Sequence, residues 1–158
     1  MNIQERKNLT YRILAVLILC ISAAMIAYSF VVVIQIEHDQ LFLDILTLSV
    51  TALFLLLEMI FILKGGKKES YLYKIGFNDN GRLNSVPLIA VIAGTVFGLG
   101  LIAMGVSVYF VRYNEVTIRT SMLVILSVAT YLVTNCLVYF MYILMFRKGE
   151  VRLEDLIK

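Results

Sequence analysis

The chain contains little of what proteins use to build catalytic or metal sites. Its 158 residues include no tryptophan, one proline, two cysteines and one histidine. Two cysteines are too few for a disulfide-stabilised scaffold, and their positions form no CxxC or CxH pair that would indicate zinc or redox chemistry. The sequence also has no glycine-rich phosphate loop, Walker pattern or Ser/His/Asp set. We therefore expect no enzyme, no catalytic residue, and no cofactor or metal.

Charged residues are scarce as well. They make up 16% of the chain, against about a quarter in ordinary soluble proteins. By contrast, 61% of the residues are hydrophobic and the mean hydropathy is +0.90. Such a composition excludes a soluble domain and a disordered tail, and a net charge of +3 does not indicate a nucleic-acid partner. The composition predicts a multi-pass integral membrane protein.

Four apolar stretches are long enough to cross a bilayer as helices. Crossing needs about 20 residues, because a helix rises about 1.5 Å per residue and the hydrocarbon core is about 30 Å thick. The stretches cover residues 13–34, 41–63, 86–111 and 120–146. We predict an all-α fold, in which residues 1–158 form one domain of four transmembrane helices in a compact antiparallel bundle.

Basic residues predict the orientation of the spans. All but two of the 14 lysines and arginines lie in the N-terminal tail, in the segment 64–85 between the second and third spans or in the C-terminal tail. Because cytoplasmic segments carry an excess of lysine and arginine, both termini are expected to face the cytoplasm. The short loops and the lack of a eukaryotic sorting signal favour a bacterial inner (plasma) membrane, with an endomembrane as the alternative.

Small residues on the third span predict helix contacts. In lipid, small side chains allow helix backbones to approach closely. One face of this span contains Ala90, Gly94, Gly98 and Gly105, and a second face contains Ala93, Gly100 and Ser107. A helix with two such faces is suited to packing against two neighbours. We therefore predict that the third span is the most central helix, and that Ala15, Ser22 and Ser29 mark a weaker contact face on the first span.

Polar residues on the second span form the most distinctive pattern. Four of them fall on one helix face, namely Asp44, Thr47, Thr51 and Glu58. A carboxylate within a membrane is costly, so Glu58 must be paired, protonated or in contact with water. The fourth span carries a polar stripe of its own, which consists of Ser127, Tyr131, Thr134, Asn135 and Tyr142.

Two interpretations of these stripes remain open. In the first, which we favour, the stripes form interhelical hydrogen bonds, and Glu58 reaches toward Lys64 or Lys67 or bonds to Tyr142. In the second, they line a hydrated path in which Glu58 binds a proton or another cation. Four spans enclose little volume, so such a path requires oligomerisation.

Two loops carry the remaining candidate residues. The only histidine, His38, lies between Glu37 and Asp39, where we expect a solvated turn rather than a metal site. The loop 65–85 interleaves basic and aromatic residues, a composition suited to contact with anionic lipids or a partner protein. Its candidate contact residues are Lys67, Lys68, Tyr71, Tyr73 and Lys74.

The functional prediction depends on the absence of reactive groups and on the two small-residue faces. We predict a non-catalytic accessory or scaffolding subunit of a larger membrane complex. Its partners are membrane lipids and either other membrane subunits or further copies of itself. The alternative is a small oligomeric transporter or channel that uses the polar stripe of the second span, and an intramembrane enzyme ranks third.

Overall fold

The computed structural model describes residues 3–64, 85–112 and 114–146, and these residues form four helices without any strand. The helices are α1 (Ile3–Gln35), α2 (Leu41–Lys64), α3 (Ser85–Val111) and α4 (Val116–Phe146). Each is long and apolar enough to cross a membrane. The predicted all-helical architecture is confirmed for these residues, and it is compatible with a multi-pass membrane protein.

Two helices begin earlier than hydropathy predicted. Helix α1 begins at Ile3 rather than at residue 13, and α4 begins at Val116 rather than at residue 120. Hydropathy locates the part of a helix that suits lipid, and polar residues extend the same helix beyond that part. Between α3 and α4, the Arg112 guanidinium donates to the Glu115 carboxylate at 2.6 Å. The turn between the two helices is therefore short.

Helix α4 is the central helix of the fold. It packs against each of the other three helices, and α1 and α2 also pack against each other. Helix α3 packs on α4 and makes few contacts with α1 or α2. The prediction that the third span is the most central is therefore wrong. The fold is a three-helix core of α1, α2 and α4, with α3 packed mainly on α4.

Buried residues recur three or four positions apart in the core helices, as in coiled coils. In α1 the buried row consists of Tyr11, Ala15, Leu19, Ser22, Ile26, Ser29 and Val33. In α2 it consists of Asp44, Leu48, Thr51, Leu55 and Ile62. Glu58 continues the α2 row, because it lies three residues after Leu55 and four before Ile62. The packing pattern thus directs Glu58 toward the core.

Glycines set the contact between α3 and α4. An added Cβ atom at Gly98 would lie 2.6 Å from Val133 Cγ2, and one at Gly105 would lie 3.0 Å from Leu126 Cδ2. At Gly94 it would lie 3.0 Å from Cys136 Sγ. These three glycines allow a close approach that larger residues would prevent, whereas Ala90 is exposed.

The second small-residue face of α3 has no neighbour among the described helices. All three of its residues, Ala93, Gly100 and Ser107, are exposed. An added Cβ atom at Gly100 would meet no atom within 4 Å. At about 100° per residue, Gly100 lies on the opposite side of α3 from Gly98 and its neighbours. One face of α3 is thus used within the chain, and the other is open.

Candidate intramembrane polar site

The polar site forms where α2 meets α4. Asn135 donates from Nδ2 to Glu58 Oε2 at 2.7 Å and to the Tyr131 hydroxyl at 3.3 Å. The Tyr131 hydroxyl also forms a hydrogen bond with the Glu58 carboxyl group. Tyr131 and Asn135 are four residues apart, so both project from the same side of α4. The structure therefore brings two predicted site residues, Glu58 and Asn135, into direct contact.

The Glu58 carboxyl group has neutral partners. Its described hydrogen-bond partners, Asn135 and Tyr131, are uncharged. Lys64 and Lys67, its other predicted partners, have side chains that lie outside the described part of the structure. Neutral hydrogen bonds offset part of the cost of removing a carboxylate from water, but they do not cancel its charge. The site therefore keeps an affinity for a positive charge, which a proton or a bound cation can supply.

A cavity of about 80 Å³ adjoins Glu58. Its lining residues come from the three core helices and are Tyr11, Glu58, Phe61, Ile62, Asn135, Val138 and Tyr139. The Tyr139 hydroxyl oxygen is buried and has no hydrogen-bond partner among the described residues. Buried polar atoms normally have partners. The cavity thus combines a carboxyl group, an amide, a hydroxyl without a partner and aromatic rings.

The same face of α2 carries a separate contact at its other end. His38 Nε2 lies 2.9 Å from Asp44 Oδ2, and His38 Nδ1 lies 2.9 Å from the Ile36 carbonyl oxygen. The His38 side chain is 1% exposed. The predicted solvated turn is therefore wrong, because the loop folds its histidine against the first turn of α2. Within the described part of the chain, no group of three or more potential metal ligands forms around this pair.

The residues between Asp44 and Glu58 do not connect these two contacts. Thr47 and Thr51 donate to carbonyl oxygens of their own helix, four residues earlier in each case. Leu55, which is buried, lies between Thr51 and Glu58. At about 1.5 Å per residue, Asp44 and Glu58 are about 21 Å apart along α2. The four predicted residues thus share a face, but only Asp44 and Glu58 take part in the two contacts, which are separate.

Hydroxyl groups join α1 to α4 along a second seam. Ser22 and Thr134 pair through their hydroxyl oxygens at 2.6 Å, and Ser127 donates to Ser29 at 2.8 Å. All four side chains are buried. The sequence identified these residues, but it predicted that the stripe containing Ser127 and Thr134 bonds to the polar stripe of α2. In the structure, their partners are on α1.

The aromatic residues that line the cavity were not predicted from the sequence. Tyr142, which was proposed as a partner of Glu58, packs edge-on against Tyr11, with ring centroids 5.2 Å apart. Phe61 and Tyr139 line the cavity. Their spacing was a usable signal, since Phe61 follows Glu58 by three residues and Tyr139 follows Asn135 by four.

The predicted contact residues of the loop, Lys67, Lys68, Tyr71, Tyr73 and Lys74, lie outside the described residues.

Comparison with protein families, characterised proteins and solved structures finds no significant match to this chain.

Proposed function

We propose that this protein is a non-catalytic accessory or scaffolding subunit of a membrane complex, and that its helix α3 contacts the partner. The observation that carries the proposal is the open small-residue face of α3. Ala93, Gly100 and Ser107 are exposed on this face, while the opposite face packs on α4. The partner in this proposal is another membrane subunit or a second copy of the chain.

The physics of helix association in lipid supports this assignment. Lipid chains are as apolar as leucine, so helices gain little by covering apolar side chains and associate through close packing instead. A face of small residues permits a second backbone to approach, as Gly98 and Gly105 already permit for α4. Helix α3 is also held on one side only, which leaves room for a neighbouring helix.

The orientation belongs to the same proposal. With both termini in the cytoplasm, as the basic residues predict, the loop 65–85 lies on the side where anionic lipids attract lysine and arginine. We place the protein in a bacterial inner membrane, with an endomembrane as the alternative.

A transporter remains the second candidate, and the cavity beside Glu58 is the observation that favours it. The break at Leu55 argues against a continuous polar path along α2. A flux assay in proteoliposomes separates the two functions. Transport requires that the wild type conduct a cation and that Glu58→Gln abolish the flux at an unchanged membrane level. An accessory role requires no flux.

The accessory role is tested by the mass of the complex extracted gently into lipid nanodiscs. We expect a stoichiometric assembly larger than one chain, and Gly100→Leu is expected to disrupt it by filling the open face of α3. Ala27→Leu is a matched control, because Ala27 is also small and exposed, but lies on α1.

A monomeric wild-type protein would contradict the proposal. So would an assembly that Gly100→Leu leaves intact, because the partner would then bind elsewhere. Replacing Gly94 or Gly98 is a poor test of partner binding, since both glycines contact α4 within the chain.

A further inference from the structure

The cavity between α1, α2 and α4 has a composition that the accessory role does not explain. We infer that it binds a small organic ammonium ion, whose charge is held by Glu58 and whose methyl groups contact the surrounding aromatic rings. This inference is independent of the proposed function, because it requires neither a partner subunit nor transport.

Glu58 provides a carboxyl group at the wall of the cavity. Glu58 accepts a hydrogen bond from Asn135 at 2.7 Å, which fixes its orientation at the cavity wall. Its nearest partners, Asn135 and Tyr131, carry no positive charge. A cation in the cavity would therefore be attracted by a carboxylate whose described hydrogen-bond partners are neutral.

The aromatic rings in the lining determine which kind of cation suits the cavity. Tyr11, Phe61 and Tyr139 line the cavity together with aliphatic Ile62 and Val138. A hard divalent metal ion takes about six or more oxygen ligands, which is more than the side-chain oxygens of Glu58, Asn135 and the two tyrosines in this lining provide. Rings around a carboxylate instead suit an alkylated ammonium ion, because the ring faces attract its positive charge and its carbon atoms fit an apolar wall.

The Tyr139 hydroxyl provides a second hydrogen-bond acceptor in the cavity. Its oxygen is buried, lines the cavity and accepts no hydrogen bond from any described residue. An ammonium N–H group can donate to this oxygen while a second N–H donates to Glu58. A ligand with at least two N–H groups and few carbon atoms, such as methylammonium or dimethylammonium, meets both requirements.

The size of the cavity limits the ligand. Its volume is about 80 Å³, whereas an apolar cavity that holds benzene measures about 150 Å³. The space therefore fits an ion of a few heavy atoms. Methylammonium and dimethylammonium satisfy this limit, and tetraethylammonium exceeds it.

The test is equilibrium binding of radiolabelled methylammonium to the purified full-length protein in lipid nanodiscs, with empty nanodiscs subtracted. We expect saturable binding that dimethylammonium displaces and tetraethylammonium does not. Glu58→Gln is expected to weaken binding by about tenfold or more, because it removes the one charged group among the described residues that line the cavity. Tyr139→Leu is expected to weaken it by about three- to tenfold through loss of a ring face.

Glu115→Gln is the matched control, because Glu115 is an exposed carboxylate in the α3–α4 turn, away from the cavity. Its binding is expected to equal that of the wild type. The inference is overturned if the wild type shows no saturable binding, or if Glu58→Gln binds as well as the wild type. It is also overturned if sodium displaces methylammonium at equal concentration, since the site would then serve inorganic cations.

A measurement on the wild-type protein guards against a variant that fails to fold. Saturation of tyrosine ring protons is expected to attenuate the methyl signal of bound methylammonium in a nuclear magnetic resonance saturation-transfer experiment. Competition by dimethylammonium should restore that signal. An unchanged methyl signal would contradict contact between the ligand and the cavity rings.

Discussion

Two glycines on α3, Gly98 and Gly100, allow the packing of α3 on α4 to be tested with minimal changes. Both are converted to alanine. A Cβ atom at Gly98 would lie 2.6 Å from Val133 Cγ2, whereas at Gly100 it would meet nothing within 4 Å. Carbon atoms in good contact are about 3.5–4.0 Å apart. In Gly98→Ala, the Val133 side chain, which is stiff in a helix, must therefore be displaced or α3 and α4 must separate locally by about 1 Å.

The two substitutions differ in their expected effect on α3–α4 association. Overpacking costs about 1–3 kcal/mol, while replacement of glycine by alanine inside a helix gains up to about 1 kcal/mol. Gly100→Ala gains only the stability that alanine gives inside a helix. Gly98→Ala has the same gain, but it also has the cost of overpacking. We therefore expect Gly98→Ala to be less stable than Gly100→Ala by about 1–3 kcal/mol.

The reactivity of Cys136 provides the assay. Its Sγ atom lies 3.0 Å from the position of a Cβ atom on Gly94, so α3 shields it from one side. In a Cys20→Ser background, the labelling rate of Cys136 by a small thiol reagent reports how often α3 separates from α4. The expected free-energy difference corresponds to labelling about 5- to 150-fold faster in Gly98→Ala than in Gly100→Ala.

A compensating substitution, Val133→Ala, tests whether Val133 is the residue that contacts position 98. Val133→Ala removes the methyl group that the new Cβ atom meets, so adding it to Gly98→Ala is expected to slow the labelling again. Equal labelling rates in the two alanine variants would refute the assigned packing of α3 on α4. A double variant that labels as fast as Gly98→Ala would show that Val133 is not the contacting residue.

Two further predictions concern the same interfaces. Gly94→Cys is expected to form a disulfide with Cys136 on mild oxidation, since the 3.0 Å from Cβ to Sγ matches the separation of about 3 Å across a disulfide; unchanged thiol counts after oxidation would contradict it. Ser22→Ala is expected to lower the free energy of unfolding by about 0.6 kcal/mol through loss of its bond to Thr134. A double-mutant cycle with Thr134→Ala measures this coupling, and a value of zero would contradict the pairing.

The sequence predicted the helices better than their arrangement. Hydropathy identified all four helices, because helix length and apolar content determine whether a segment can cross a membrane. Small residues identified both faces of α3 that can approach a neighbour. They do not indicate whether a neighbour is supplied by the same chain, and only one face, through Gly98 and Gly105, is used in this way. The central position of α4 therefore could not be predicted.

The candidate site was predicted in part for a similar reason. A carboxylate in a span requires a partner, so the sequence singled out Glu58 and a polar stripe on α4 that includes Asn135. Which residue of a stripe meets which helix depends on the rotation of α4. That rotation turns Thr134 toward Ser22 and Asn135 toward Glu58, although the two residues are adjacent. The prediction for His38 was wrong because a side chain in a loop can pack against the helix that follows the loop, here α2.

The central place of α4 has a consequence for how the protein is made. Chains are synthesised from the N-terminus, and α4 is the last of the four described helices to leave the ribosome. Until it arrives, the hydroxyl groups of Ser22 and Ser29 and the glycine face of α3 lack the surfaces they contact in the finished fold. A nascent chain that stops before residue 116 therefore leaves polar and small-residue faces uncovered. Such uncovered faces distinguish an unfinished chain from a completed one.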